Sequence, residues 1–266
     1  MKRVLSALIL GTIVLYVLLA APKVVGVLLI GVVMLLAVQE MLRMVPASEG
    51  TISQPALLTG TAFMLIGAWV KGQPGLASGL ILAILTLVVF RLRGGGVQGA
   101  FREIAAGVFV LIVPAWLLAH AVLFLDDSRG RAALLFLLLV VWVCDSAAFY
   151  VGSAVGRRKL APEISPNKTV EGFLAGLVSS LPVAVLFWLI SSEIWSLWFT
   201  IAAGLSVAFV GQVGDLFESI LKRDAGVKDS GSLIPGHGGM LDRTDSLLLT
   251  IPFLYYMTQW LACCLR

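Results

Sequence analysis

Charge is what this sequence has least of. Only 13% of its 266 residues are charged, where an average soluble protein has about a quarter. Histidine occurs twice and cysteine three times. Cys144, Cys263 and Cys264 lie in apolar runs without metal-ligand spacing, so they read as small buried hydrophobes. The pattern G-x-x-x-x-G-K-[ST] is absent, which argues against a Walker-type ATPase. There is no internal repeat, no low-complexity tract and no polar stretch long enough for a separate soluble domain. The net charge of +4 does not point to nucleic acid, because basic residues flanking membrane spans give the same sign.

What the chain has in excess is long apolar runs. Hydrophobic residues make up 59% of it, and mean hydropathy is +1.01. Nine runs stand out, at about 4–21, 24–39, 55–70, 76–90, 104–125, 132–152, 172–190, 195–214 and 246–264. A helix of about 20 apolar residues crosses a hydrocarbon core, and backbone amides in lipid must be satisfied internally. The expected fold is therefore all-α: a polytopic membrane protein of about nine transmembrane helices. Lys2 and Arg3 precede the first run, but no clear small-x-small cleavage site follows and Pro22 comes directly after Ala20-Ala21. That run is read as a retained first helix rather than a signal peptide. With the N-terminus in the cytoplasm and sides alternating, fourteen of the nineteen basic residues fall on the cytoplasmic side, in accord with the positive-inside rule.

The two halves differ in chemistry. Residues 1–130 have short loops and few polar groups within their runs, and they read as a scaffold. In residues 131–266 carboxylates stand at the ends of runs and the loops lengthen, so the polar site is expected there, facing the cytoplasm. The segment 214–245 holds six of the fifteen acidic residues: Asp215, Glu218, Asp224, Asp229, Asp242 and Asp245. If the eighth helix continues past Gly214, then Asp215, Glu218, Ser219 and Lys222 share one face. An ionisable residue as near the apolar run as Asp215 faces a cavity or a partner, although a solvated helix end with an ordinary Glu-Lys pair would give the same spacing.

Next comes a glycine-rich loop carrying Gly226, Gly231, Gly236, Gly238 and Gly239, with Lys228 and His237 inside it and Arg243 beyond. Glycines let backbone N–H groups approach an anion, and lysine and arginine suit polyphosphate. The plain alternative is a flexible surface loop. Asp242 and Asp245 open the ninth helix. With Asp215 they offer hard oxygen ligands for magnesium, with Glu218 beside them, while helix capping would favour the same residues. Upstream, Asp145 lies inside the sixth run. After that run come Arg157, Arg158 and then Ser165-Pro166-Asn167-Lys168-Thr169-Val170-Glu171-Gly172. Ser165 and Pro166 read as the N-cap and first residue of helix seven, which with Lys168 would make an anion site. His120 reads as a packing residue. Glu40, closing the second run, reads equally as a boundary residue or as something more.

These stretches carry a resemblance. Residues 219–245 run from Ser219 through Lys222-Arg223, Lys228-Asp229-Ser230-Gly231 and Pro235-Gly236-His237-Gly238-Gly239 to Asp242-Arg243-Thr244-Asp245. That pattern resembles the signature of phosphatidate cytidylyltransferases, also called CDP-diacylglycerol synthases. Gly214-Asp215-x-x-Glu218-Ser219 and Ser165-Pro166-x-Lys168-Thr169-x-Glu171-Gly172 resemble the same family. One departure is Phe149, where the family pattern has tyrosine. The resemblance implies CTP and phosphatidate as substrates, CDP-diacylglycerol and pyrophosphate as products, magnesium, a second cation such as potassium, and a homodimer in the plasma (inner) membrane. Taken with the residue chemistry, it makes Asp215, Lys168, Asp242, Arg243, Asp245 and His237 the catalytic set. Ser165, Lys168, Glu171, Ser219, Lys222, Arg223, Lys228, Asp229, Gly238, Gly239 and Asp145 become substrate contacts, and Asp215, Asp242, Asp245 and Glu218 metal ligands. Two other functions compete: a CTP-dependent lipid kinase, and a transporter with intramembrane carboxylates.

Overall fold

A computed structural model describes residues 2–233 and 238–264. The chain is helical almost throughout. In order, the helices are α1 (Lys2–Leu19), α2 (Lys23–Met44), α3 (Gln54–Arg93), α4 (Ala100–Val110), α5 (Leu117–Leu123), α6 (Ser128–Val155), α7 (Val170–Ile190), α8 (Leu197–Asp224) and α9 (Leu241–Cys264). A π-helical turn, Leu111–Trp116, joins α4 to α5 around Pro114. A two-stranded antiparallel hairpin, β1 (Lys159–Ala161) and β2 (Ser165–Thr169), separates α6 from α7. All nine apolar runs fall on helix, with ends shifted by a few residues. Among the described residues six helical stretches are long and apolar enough to cross a membrane: α2, α3, Ala100–Leu123, α6, α7 and α8. This is an all-α, multi-pass membrane architecture.

The third and fourth runs share α3, and a glycine explains how. Gly72 has φ 61° and ψ −141°, a conformation open only to glycine. The chain reverses there, and the arms 54–71 and 73–93 pack on each other as a hairpin. A methyl group at Gly67 would lie 2.1 Å from the Gly75 carbonyl oxygen, and one at Gly79 would lie 2.6 Å from that of Phe63. Small residues at such a crossing are how helices approach closely in lipid, where apolar surface alone gives little drive to associate.

The chain divides into two compact units. One comprises residues 1–130 and 224–244, the other residues 131–223 and 245–266. In the first, α2, α3, α4 and α5 pack together around Met34, Leu57, Met64, Leu76 and Leu111, all fully buried. His120 is buried there, its Nδ1 donating to the Trp116 carbonyl at 2.9 Å and its ring edge-on to Trp116. The glycine-rich loop also belongs to this unit. In the second, Phe136 packs on Phe187 and Trp195, with ring centroids 4.8 and 5.5 Å away.

Candidate active site

The second unit gathers acidic and basic side chains from α6, β2, α8 and α9. Lys168 stands on β2, and its Nζ lies 2.7 Å from Asp215 Oδ2 on α8. The hairpin that carries it is built locally. Ala161 pairs with Ser165 and Lys159 with Thr169, the Ile164 amide donates to the Ala161 carbonyl, and Arg223 Nε donates to the Ile164 carbonyl at 3.3 Å. Glu171 faces the entry to the hairpin. Its carboxylate accepts from the Arg157 amide at 3.0 Å and from the Arg158 amide at 3.2 Å.

One sequence expectation is corrected here. Ser165 does not cap helix seven. It opens β2, because residues 165–169 are drawn into pairing with β1. Thr169 caps the helix instead, its Oγ1 accepting from the Gly172 amide at 3.1 Å.

The predicted face of α8 is present. Lys222 Nζ lies 3.1 Å from Glu218 Oε2, one helical turn away, and Glu218 is fully buried. Ser219 Oγ reaches Asp215 Oδ1 at 3.5 Å, the outer limit for a hydrogen bond. Gly214 decides how near α9 can come. A methyl group there would lie 2.9 Å from the Asp245 carbonyl oxygen, so the bare glycine lets the two helices touch backbone to backbone beside Asp215. Asp245 then feels the charges of Asp215, Glu218 and Asp145. Asp145, on the exposed side of α6, interacts with both Asp215 and Lys168.

Asp242 and the glycine-rich loop lie in the first unit, where the carboxylates are engaged differently. Asp242 Oδ2 accepts from the Ser230 amide at 2.9 Å, from Ser230 Oγ at 2.9 Å and from the Gly239 amide at 2.8 Å. Gly239 is required sterically, since a methyl group there would lie 2.4 Å from both Ser230 Oγ and Glu40 Oε2. Gly238 adopts φ 77°. Lys228, Asp229 and Arg243 are exposed. His237 lies outside the described residues.

Sequence reasoning undervalued Glu40. It is buried near the end of α2, and its two oxygens accept from the Met240 amide at 2.9 Å and the Leu241 amide at 2.8 Å. The available signal was a carboxylate at the edge of an apolar run, which is costly unless paired.

Magnesium chemistry can be tested on this donor set. The donors in the second unit are hard carboxylate oxygens, which suit it. Among the described residues, however, no three Asp, Glu, His or Cys side chains form a group that could hold a metal ion. Carboxylate oxygens are also the donor type of a magnesium ion that shares one or two carboxylates with substrate phosphates.

Fold and site together define a multi-pass, all-α membrane protein whose second unit brings Lys168 and Asp245 to a common carboxylate, Asp215. The model of the cytidylyltransferase family matches residues 1–261. A phosphatidate cytidylyltransferase of Staphylococcus haemolyticus is 35% identical over 228 residues, 83% of this chain and 84% of its own. One from Bacillus subtilis is 47% identical over 131 residues, 49% of each chain. One from Staphylococcus saprophyticus is 46% identical over 127 residues, 48% of this chain and 49% of its own. In these last two matches the chain spans about half the length of its relatives. The chain belongs to the family of phosphatidate cytidylyltransferases.

Proposed function

We propose that the protein transfers the cytidylyl group of CTP to phosphatidate, giving CDP-diacylglycerol and pyrophosphate. The observation that carries this reading is the Lys168–Asp215 pair, 2.7 Å apart, on the α8 face that Asp245 also approaches. A phosphate oxygen of phosphatidate forms the new bond to the α-phosphorus of CTP, and the bond to the β-phosphate oxygen breaks. The nucleophile arrives already ionised, so no activated serine or cysteine is needed. The work left to the protein is alignment and relief of anion repulsion. Lys168 supplies a cation that leaves Asp215 for a substrate phosphate. Lys222 and Arg223 supply further positive charge on the same helix as Asp215. Asp215 and Asp245 would hold magnesium, which supplies charge neutralisation at the transferring phosphate. Potassium as a second cation is part of the same reading.

The lipid substrate is anchored in the bilayer, so a site at the membrane boundary receives it sideways while CTP enters from water. Nine spans, a cytoplasmic N-terminus, a cytoplasm-facing site and a homodimer in the plasma (inner) membrane complete the proposal. The basic-residue bias across the nine runs supports the orientation. Incubating the purified protein with CTP and either phosphatidate or a lipid alcohol tests the reaction. Pyrophosphate and CDP-diacylglycerol from phosphatidate are expected. CDP released with the alcohol would make the protein a lipid kinase, and turnover of neither would leave transport as the reading.

A further inference from the structure

Glu40 is 5% exposed and stands near the end of a transmembrane helix. A carboxylate in that position needs donors. Oε1 accepts from the Met240 amide at 2.9 Å, and Oε2 accepts from the Leu241 amide at 2.8 Å and from Ser230 Oγ at 3.0 Å. Ser230 Oγ lies 2.9 Å from Asp242 Oδ2 as well, yet a hydroxyl carries one hydrogen. Its proton is thus shared between Glu40 and Asp242, and the two carboxylates act on one corner of the loop. Met240 and Leu241 immediately precede Asp242 and Arg243, and Asp245 follows Leu241 by one turn of the same helix. The carboxylate also meets the positive end of α9, a favourable placement for an anion.

We propose that Glu40 is a positioning residue for catalysis: it clamps the start of α9 and the Ser230 corner, and so fixes where Asp242 and Arg243 stand. This inference rests on the cytidylyl-transfer reading. Glu40 touches no reacting atom in it. Its effect runs through backbone amides, which hold position better than side chains do. Glu40→Gln keeps the size of the group but replaces one acceptor with a donor. At least one of the Met240 and Leu241 amides, or the Ser230 hydroxyl, then loses its acceptor. A misplacement of about 1 Å near the reacting groups can cost about 100-fold in rate.

The test measures kcat and KM for CTP and phosphatidate in purified Glu40→Gln, per folded molecule, together with amide hydrogen exchange. Expected are a fall in kcat of about 10- to 100-fold, faster exchange at Met240 and Leu241, and unchanged exchange in α2. A wild-type rate per folded molecule overturns the proposal, as does faster exchange spread over the whole unit. If Glu40→Gln does not fold, Ser230→Ala removes only the shared hydroxyl and must still lower kcat; a wild-type kcat there overturns the proposal too. If wild-type protein makes no CDP-diacylglycerol, the cytidylyl-transfer reading fails by itself. The exchange at Met240 and Leu241 then judges the clamp separately.

Discussion

The carboxylates of the two units answer the same electrostatic problem in opposite ways. In the first, Glu40 and Asp242 are surrounded by backbone amides and one hydroxyl. The amides belong to the main chain and cannot swing away, so the charge is held in place. In the second, Asp215 is balanced by the ammonium of Lys168, which sits on a long flexible stem. Asp145 adds like charge beside it, and the Asp245 carboxyl group lies near. Charge balanced by a mobile cation beside a like charge can be exchanged for a metal ion or a phosphate. The first arrangement suits architecture, and the second suits chemistry.

Asp215→Asn tests that contrast most severely. It keeps the shape of the side chain and removes the charge that holds Lys168. Cytidylyl transfer should fall at least about 100-fold, in line with the loss of one well-placed electrostatic contact, while the protein remains folded. Rates within a few-fold of wild type would place the chemistry elsewhere. Lys168→Gln should cost somewhat less, about 10- to 100-fold, because a charged hydrogen bond is worth about 1.5–3 kcal/mol. Full activity in that variant would remove Lys168 from the site.

Gly214→Ala sharpens the comparison from the packing side. The added methyl group meets the Asp245 carbonyl at 2.9 Å. That neighbour is backbone, so α8 and α9 must separate slightly. Overpacking of this kind costs about 1–3 kcal/mol. A lower melting temperature and a reduced rate are both expected. A loss of stability alone, with kcat unchanged, would show that the spacing of Asp215 and Asp245 tolerates a small shift.

Much of the architecture was legible because it is local. The α8 face follows from a four-residue period, and the break at Gly72 follows from Lys71-Gly72-Gln73-Pro74-Gly75 between two apolar runs. What could not be read depends on distant pairing. Glu40 meets Leu241 across 201 positions, and no spacing rule connects them. Lys168 and Asp215 were both singled out, but their pairing needs the β-hairpin to turn Lys168 toward α8. The misplaced cap is instructive too. Ser165-Pro166 is a good helix start in isolation, yet strand pairing with β1 overrode it and passed the role to Thr169.

Thr169 yields the smallest expected effect, and it separates architecture from chemistry one residue away from Lys168. Its Oγ1 accepts from the Gly172 amide at 3.1 Å, and the residue is buried. Thr169→Val keeps the branched shape and replaces the hydroxyl with a methyl group, beside Gly152 and Gly156. Losing an N-cap acceptor costs about 0.5–2 kcal/mol. For a chain of this size that corresponds to a melting shift of roughly 2–4 °C per kcal/mol. Activity per folded molecule should stay within about two-fold of wild type, because a cap tolerates the small adjustments by which a helix start finds water or a shorter turn. A loss as large as that of Lys168→Gln would mean the cap also sets the direction of β2. Thr169 would then belong with Glu40, among residues that act on chemistry through the backbone.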